Sequence, residues 1–351
     1  MKQKLSVGLV LILLLAIISG CSPSTPKSGS TANSGEDRLS IVSTIFPGYD
    51  FAREIVGENA KVTMLLPPGS ESHSFEPTPQ DIIAIQNCDV FLYVGGDSDA
   101  WMKGILDSID TSRMTILSMM DIVDVVREEI KEGMEHDHGD DHEDDHEDDH
   151  EHGYEDDHED DHEHDHDHED GDHQDTEYDE HVWTSPINAK RITQALSDVL
   201  CQLDENHAPI FRENTATYLA KLDVLDASFH QVVEEGQRKT LIFGDRFPFR
   251  YFVDEYDLDY YAAFPGCSTE TEANAKAVAF LVDKVKTEEI PVVFYIELSN
   301  EKMADTISES TGAKKLLFHS CHNLTKDEVK RGVTYLELMA QNAEHLKEAL
   351  G

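Results

Sequence analysis

Between Glu135 and Glu180 the chain carries 27 acidic residues and neither lysine nor arginine. Apolar residues recur there at no helical or strand period, and neighbouring like charges repel, so this stretch reads as an extended insert with nothing to bury. It also accounts for the extreme charge of the chain. The full sequence has 28 Lys+Arg against 72 Asp+Glu, a formal net of -44, whereas the remainder holds 45 acids against the same 28 bases, or -17. That balance is ordinary for an acidic soluble protein. Without a basic footprint, nucleic acid is excluded as a partner. The 351 residues, 39% of them hydrophobic, suffice for about two domains on either side of the insert. Collagen, coiled-coil and polytopic membrane architectures are excluded as well.

Lys2 and Lys4 precede an apolar run from Val7 to Ile18 that is too short for a comfortable membrane span and reads as a secretory signal over residues 1–20. The run ends in Ile18-Ser19-Gly20-Cys21, which resembles a bacterial lipoprotein cleavage box, with Cys21 as the lipidated residue and an anchor on the extracytoplasmic face of the membrane. Residues 21–38, rich in Ser, Thr, Pro and Gly, form a flexible tether. In an oxidising compartment Cys88, Cys201, Cys267 and Cys321 allow three disulfide connectivities. Cys267 with Cys321 is the pairing to consider first, because both follow expected strands of the second half; free buried thiols are the alternative.

Outside the insert, strand and helix signals alternate. Strands are expected at 39–46, 61–66, 89–94 and 114–118, with helices at 50–56, after Pro79 and from Ala100. The second half repeats the pattern, with strands at 240–243, 258–264, 291–296 and 314–318 and a last helix over 332–350. Such βα series predict mostly parallel sheets covered by helices. The resulting division is an N-terminal α/β lobe over 39–186 that includes the loop 135–180, a helical linker over 187–236, and a C-terminal α/β lobe over 237–351. Two helices are expected in the linker, 188–206 and 209–235, the second with Pro209 in its first turn. Ala216, Leu219, Leu222, Leu225 and Phe229 form one stripe on that second helix, about 40 Å long, which would brace the two lobes.

Twelve of the nineteen histidines lie in the insert: His136, His138, His142, His146, His150, His152, His158, His162, His164, His166, His168 and His173. Formal HExxH matches begin at His142, His146 and His158. In a zinc protease that spacing works because a helix brings both imidazoles to one face. Here no apolar face would dock a helix, and repetition of His-Glu-Asp-Asp-His explains the matches. Imidazoles interleaved with carboxylates bind divalent cations weakly at several places; a solvated acidic spacer is the plain alternative. Two other histidines have different surroundings. His73 lies in PPGSESHSFEPTP at 67–79, a proline-stiffened loop after an expected strand, and His181 in DEHVWTSP at 179–186, just before a helix. Parallel α/β sheets bind ligands at the carboxyl ends of their strands, so both are candidate ligands, with a structural histidine as the bland alternative for each.

With these segments the chain resembles the cluster A-I metal-binding proteins of ABC transporters, the zinc and manganese substrate-binding lipoproteins. The resemblance covers about Leu39 to Leu350 and is carried by the His73 and His181 segments, by the acidic His-rich loop between them, and by YLELMAQNAEHLKEAL at 335–350. It implies two α/β lobes, each with a mostly parallel sheet flanked by helices, joined by a long rigid helix, with metal in the inter-lobe cleft. His73 and His181 match the first two ligand positions of the family. The third, a His or Glu ahead of an aromatic pair, falls on Arg246, whose guanidinium has no lone pair to offer. The fourth, an Asp or Glu, falls on His322 when Asn323-Leu324-Thr325 is aligned. His319 is the first candidate to replace the third ligand, with Cys321 and Asp245 as the others. An imidazole-rich donor set suits Zn²⁺ as the transported ion better than Mn²⁺.

The expected function is that of a non-catalytic, monomeric, lipid-anchored receptor that captures Zn²⁺ and delivers it to an ABC permease, with the His-rich loop gathering metal. Alternatives are a manganese receptor and a surface lipoprotein that buffers metal or mediates adhesion. A zinc hydrolase would need an open metal site with a base such as Glu297 or Asp245, and no nucleophile or oxyanion arrangement accompanies them.

Overall fold

The computed structural model of the chain describes residues 38–71, 75–134, 177–268 and 275–351. Cys21, His73 and the twelve insert histidines lie outside the described residues. Short runs of β-branched and aromatic residues form two four-stranded parallel sheets. The first contains β1 (Ser40–Ser43), β2 (Lys61–Met64), β3 (Val90–Tyr93) and β4 (Thr115–Ser118) in the order β2-β1-β3-β4. The second contains β5 (Thr240–Phe247), β6 (Asp259–Pro265), β7 (Val292–Tyr295) and β8 (Lys314–Leu317) in the order β6-β5-β7-β8. Both orders reverse direction beside their first strand, and the crevice outside the carboxyl ends of the strands at such a reversal is where open α/β sheets bind ligands.

Helices cover the sheets. The first lobe carries α1 (Phe46–Val56), α2 (Pro79–Gln86) and α3 (Trp101–Leu106), and the second α6 (Arg250–Tyr256), α7 (Ala275–Thr287), α8 (Lys302–Thr311), α9 (Lys326–Arg331) and α10 (Tyr335–Leu350). Between them lie α4 (Pro186–Leu203) and α5 (Ala208–Glu235). Helix α1 sits unusually close to its sheet. A Cβ on Gly48 would fall 2.4 Å from Ser43 Oγ and 2.8 Å from Leu92 Cδ2, so a side chain there would force α1 away from β1 and β3.

The 28 residues of α5 span about 42 Å at 1.5 Å per residue. Its buried face runs through Phe211, Thr215, Tyr218, Leu222, Leu225 and Phe229. The expected stripe holds only in its second half: Ala216 is exposed and Leu219 half-buried, because Phe211 and Tyr218 bring more area to the core from the adjoining face. Tyr218 meets Phe51 of α1 at 6.1 Å between ring centroids, while Phe229 meets Phe252 of α6 at 4.9 Å edge-on. One helix therefore packs on both lobes, and a single apolar cluster runs from Ile41 and Phe51 through α5 to Phe252, Phe318 and Tyr335.

The last helix begins later than expected. Gly332 closes α9 in a left-handed conformation (φ +69°), and Thr334 with Glu337 forms a capping box that starts α10 afresh. The first turn of α10 docks across the lobes, with Tyr335 N–H donating to Asp50 Oδ2 at 2.9 Å.

Burial raises two first-lobe carboxyls, Asp50 and Asp99, to about 6, despite the N–H donors of Tyr335 to the one and of Val94 and Gly95 to the other. A folded-state value above the unfolded one, about 3.9, means that the folded state binds more protons between roughly pH 4 and 6. Stability from these groups is thus present below pH 4 and lost as pH rises through 6, on the order of 3 kcal/mol for each. Asp50→Asn should flatten the pH dependence of urea unfolding of the metal-free protein over pH 4–7 by that order. An unchanged slope would show that Asp50 does not titrate in this window.

Candidate metal centre

Where the two sheets' loops meet, a cleft encloses about 20 Å³, room for one water-sized occupant. Its walls include Glu71 from the first lobe, His181 from the turn before α4, and Arg246, Glu297 and His322 from the second lobe.

His181 is fixed by its own turn. Asp179 Oδ1 accepts the His181 backbone N–H at 2.8 Å and meets the ring Nδ1 at 3.2 Å, and the side chain is buried. With Nδ1 held by a carboxylate, Nε2 is the nitrogen for a metal, the usual arrangement of a ligating histidine and its outer carboxylate. Burial alone would lower the imidazole pKa, but the Asp179 charge and hydrogen bond, with a hydrogen bond to the Cys267 thiol, hold it well above the usual histidine range. Trp183, two residues on, stands edge-on to His181 and tilted against His322, with centroids at 5.5 and 5.0 Å.

His322 comes from the loop after β8. Glu297, at the end of β7, accepts Ser320 N–H at 2.7 Å, Ser320 Oγ–H at 2.6 Å and His322 N–H at 3.0 Å, so one buried carboxylate moulds the whole turn. Cys321 takes a positive φ of 61° within it. That geometry sets the His322 ring 5.6 Å from the His181 ring, nearly perpendicular to it. Of the sequence candidates among the described residues, these two histidines are brought together.

The other candidates lie elsewhere. His319 is buried behind the same turn: its Nδ1 accepts Cys321 N–H at 2.9 Å, its Nε2 faces Glu328 Oε1 at 3.9 Å, and it does not line the cleft. Burial lowers its pKa, the charges of Glu297 and Glu328 outweigh that, and in return His319 holds Glu328 down at about 2. His319 thus stands among Cys321, Glu297 and Glu328, with its Nδ1 on the Cys321 N–H. Cys321 is fully buried with Sγ toward the His319 carbonyl, away from the cleft lining. Asp245 spends its carboxylate on the backbone N–H groups of Arg246 and Ile296, at 2.9 and 3.2 Å, and is absent from the lining as well. All four described cysteines are free thiols: Cys321 faces the core, whereas Cys267 meets His181. The pairing of Cys267 with Cys321 is not formed.

Arg246 does occupy the cleft. Gly244, whose Cβ would fall 2.6 Å from Ala304 Cα, lets β5 bulge against α8, and the bulge turns Arg246 inward. Its guanidinium donates to Glu71 Oε2 at 2.8 Å and Ser268 O at 3.4 Å. Sequence reasoning missed Glu297 as the organiser of the His322 turn and Cys267 as the neighbour of His181; both stand directly after expected strands, which is the signal that was there to use.

The lobes are stitched around this cleft. Trp183 Nε1 donates to Ser320 O at 2.8 Å, Tyr335 Oη to Trp183 O at 2.8 Å, and Asn323 Nδ2 to Pro67 O and Ser70 O at 2.8 and 2.9 Å. The Asn323 bonds hold the loop that leads into His73. The flanks of the insert are paired as well: Glu128 N–H donates to Glu177 O, Asp179 N–H to Val126 O, and Glu128 Oε1 accepts Cys267 N–H. A further donor cluster, Asp226, His230 and Glu255, sits outside the cleft on α5 and α6 with two of its members exposed.

The family described as zinc-uptake complex component A, periplasmic, matches residues 41–349 of the chain. The zinc-binding lipoprotein AdcA of Streptococcus pneumoniae is 27% identical over 320 residues, 91% of this chain and 57% of its own length, so the chain spans little more than half of that relative. The high-affinity zinc uptake system protein ZnuA of Bacillus subtilis is 28% identical over 350 residues, 100% of this chain and 99% of its own. The crystal structure of the Zn(II)-bound ZnuA-like domain of Streptococcus pneumoniae AdcA superimposes with a TM-score of 0.67 at 23% identity, covering 89% of this chain and 99% of that one, a likeness of fold.

If Asp179 orients His181 for a metal, Asp179→Asn should weaken divalent-metal binding about 10- to 100-fold. Competition against a chromogenic chelator measures this. Unchanged affinity in a variant with wild-type melting would remove Asp179 from the centre.

Proposed function

The chain belongs to the family of zinc-uptake complex component A proteins, whose match takes in nearly all of its folded part, and from that premise we propose that it is an extracytoplasmic zinc receptor handing Zn²⁺ to an ABC permease. The observation that carries this reading is the pair His181 and His322. They come from opposite sides of the cleft, their ring centroids 5.6 Å apart, and line a cavity of about 20 Å³, room for one water-sized occupant. Imidazoles at that separation suit a borderline cation such as Zn²⁺ better than Mn²⁺, which prefers carboxylate oxygen.

In this reading metal is cargo. Asn323 ties Pro67 and Ser70 to the second lobe, and His73, outside the described residues, is the further imidazole, so that ligands from both lobes meet on one ion. Capture and closure are then one event, because the bonds that hold the lobes together surround the donors. The acidic His-rich insert, whose flanks are paired beside Cys267, gathers cations at low affinity near the cleft. Cys21 carries the lipid that holds the receptor at the outer face of the membrane, and the protein acts as a monomer.

The role is non-catalytic. Glu297 and Asp245, the carboxylates best placed to serve as a hydrolytic base, are both committed to backbone N–H donors.

Single substitutions His181→Ala and His322→Ala should each lower Zn²⁺ affinity by at least about a hundredfold, more than loss of an outer-shell partner costs. Competition titration of Zn²⁺ against Mn²⁺ on metal-free protein should favour zinc. Wild-type affinity in both variants, or preference for manganese, would overturn the reading. Deleting residues 136–173 should leave the affinity of the cleft unchanged and slow growth under zinc limitation; unaffected growth would make the insert a spacer.

A further inference from the structure

Outside the cleft, α5 and α6 carry a second set of metal-binding side chains. Phe229 of α5 packs on Phe252 and Tyr256 of α6, with ring centroids at 4.9 and 5.3 Å, and this contact sets the register of the two helices. Asp226 and His230 are four residues apart, so they are neighbours along the face of α5 beside Phe229, and Glu255 directly precedes Tyr256 on α6. The three side chains present one nitrogen and two carboxylate oxygens, and these donor atoms lie within 4.8 Å of one another. His230 Nε2 faces Asp226 Oδ1 at 3.7 Å.

Tyr256 holds the set in place. Its Oη donates to Asp226 Oδ1 at 2.8 Å, and its ring stands edge-on against the His230 ring at 5.0 Å. Outer partners of this kind orient ligating carboxylates and imidazoles. The surrounding charges separate the set from ordinary surface acids. On or directly after the same two helices, Asp223 is met by Lys190, Asp254 by Arg250 and Asp257 by Lys239. Among the described residues no lysine or arginine pairs with Asp226 or Glu255, and the group they face is the imidazole.

We propose that Asp226, His230 and Glu255 form a second divalent-cation site, on the linker helix and apart from the cleft, which takes Zn²⁺ at lower affinity than the cleft does. Donors on one Zn²⁺, bonded at about 2 Å, stand about 3–4 Å apart. Closing the spacing to that value requires only rotation of His230 and Glu255, both exposed. The imidazole favours zinc over calcium or magnesium, which take oxygen donors. Because Asp226 and His230 belong to α5 and Glu255 to α6, an ion there joins the linker helix to the second lobe and stabilises that junction in proportion to its occupancy. The site uses neither His181 nor His322, so it stands or falls separately from the zinc-receptor reading.

The full-length chain, stripped of metal, is treated with diethyl pyrocarbonate with and without Zn²⁺, and the modified histidines are located by peptide mass. Without metal His230 should react, its side chain being 57% exposed. Zn²⁺ in excess over the cleft site should protect it, because a coordinated nitrogen cannot attack the reagent, whereas His207, whose acidic partner is Asp204, should stay reactive. Asp226→Asn and Glu255→Gln should each raise the Zn²⁺ concentration for half-protection at least about tenfold, with melting and cleft affinity as in wild type. Asparagine retains an acceptor for Tyr256, and Glu255 lies at the surface, so neither variant removes a packing contact. A His230 that reacts equally with and without Zn²⁺, or protection that persists in both variants, overturns the site and leaves the cleft untouched. Absence of tight cleft binding in a wild-type chain whose His230 is protected counts against the receptor reading alone.

Discussion

The indole of Trp183 is the point on which the two halves of the molecule close. Its N–H donates to the Ser320 carbonyl, its own carbonyl accepts from Tyr335, and its ring is packed against His181 on one side and His322 on the other. A fully buried N–H with one good acceptor is costly to leave unpaired, about 1–3 kcal/mol, so the loop after β8 is held in register with the turn before α4. Everything that gives the cleft its shape follows from this registration: the perpendicular histidines, the turn moulded by Glu297, and the first turn of α10 reaching across to Asp50.

The long helix α5 complements this polar seam with an apolar one. Because Tyr218 packs on the first lobe and Phe229 on the second, separation of the lobes at the cleft has to bend or tilt around a continuous buried stripe. Such a core resists large displacement, since close-packed interiors do not deform smoothly. The hydrogen bonds of Trp183, Asn323 and Arg246 come from loops and join the lobes around the cleft.

Much of this was legible from residue order. Alternating β-branched runs and amphipathic helices gave six of the eight strands nearly in place; β1 stops at Ser43, short of the expected Phe46, because Pro47 sits in the first turn of α1, which starts at Phe46 and not at Asp50, and β5 runs on to Phe247 through its bulge at Gly244. At the cleft, residue order places His181 and His322 on loops that converge, and their rings do lie together. Orientation within a turn is not readable in that way. His319 and His322 are three residues apart in one polar loop, and which of them faces the cleft depends on the positive φ of Cys321 and on Glu297, a residue from a different strand. No periodicity encodes such a contact. The same holds for Cys267 and His181, which meet only because two separate loops converge. The boundary between α9 and α10 was missed for a local reason: Gly332 and the Thr334 cap were both readable as a stop and a start, and a continuous apolar pattern masked them.

An arginine beside two cleft histidines looks out of place in the proposed receptor, and the charge distribution accounts for it. Arg246 is paired with Glu71 and flanked by the buried carboxylate of Asp245, so its positive charge is met before it reaches the His181–His322 gap. Asp179 and Glu297 stand behind the two histidines with Glu180 buried nearby, each accepting N–H donors and keeping the walls negative in potential. In a partly dehydrated cleft such fixed acceptors act at short range with little screening. The guanidinium therefore does not reverse the field of the cleft. What it adds is geometric: a fork that spans from the first-lobe loop at Glu71 to the turn at Ser268 and ties both sides of the cleft together.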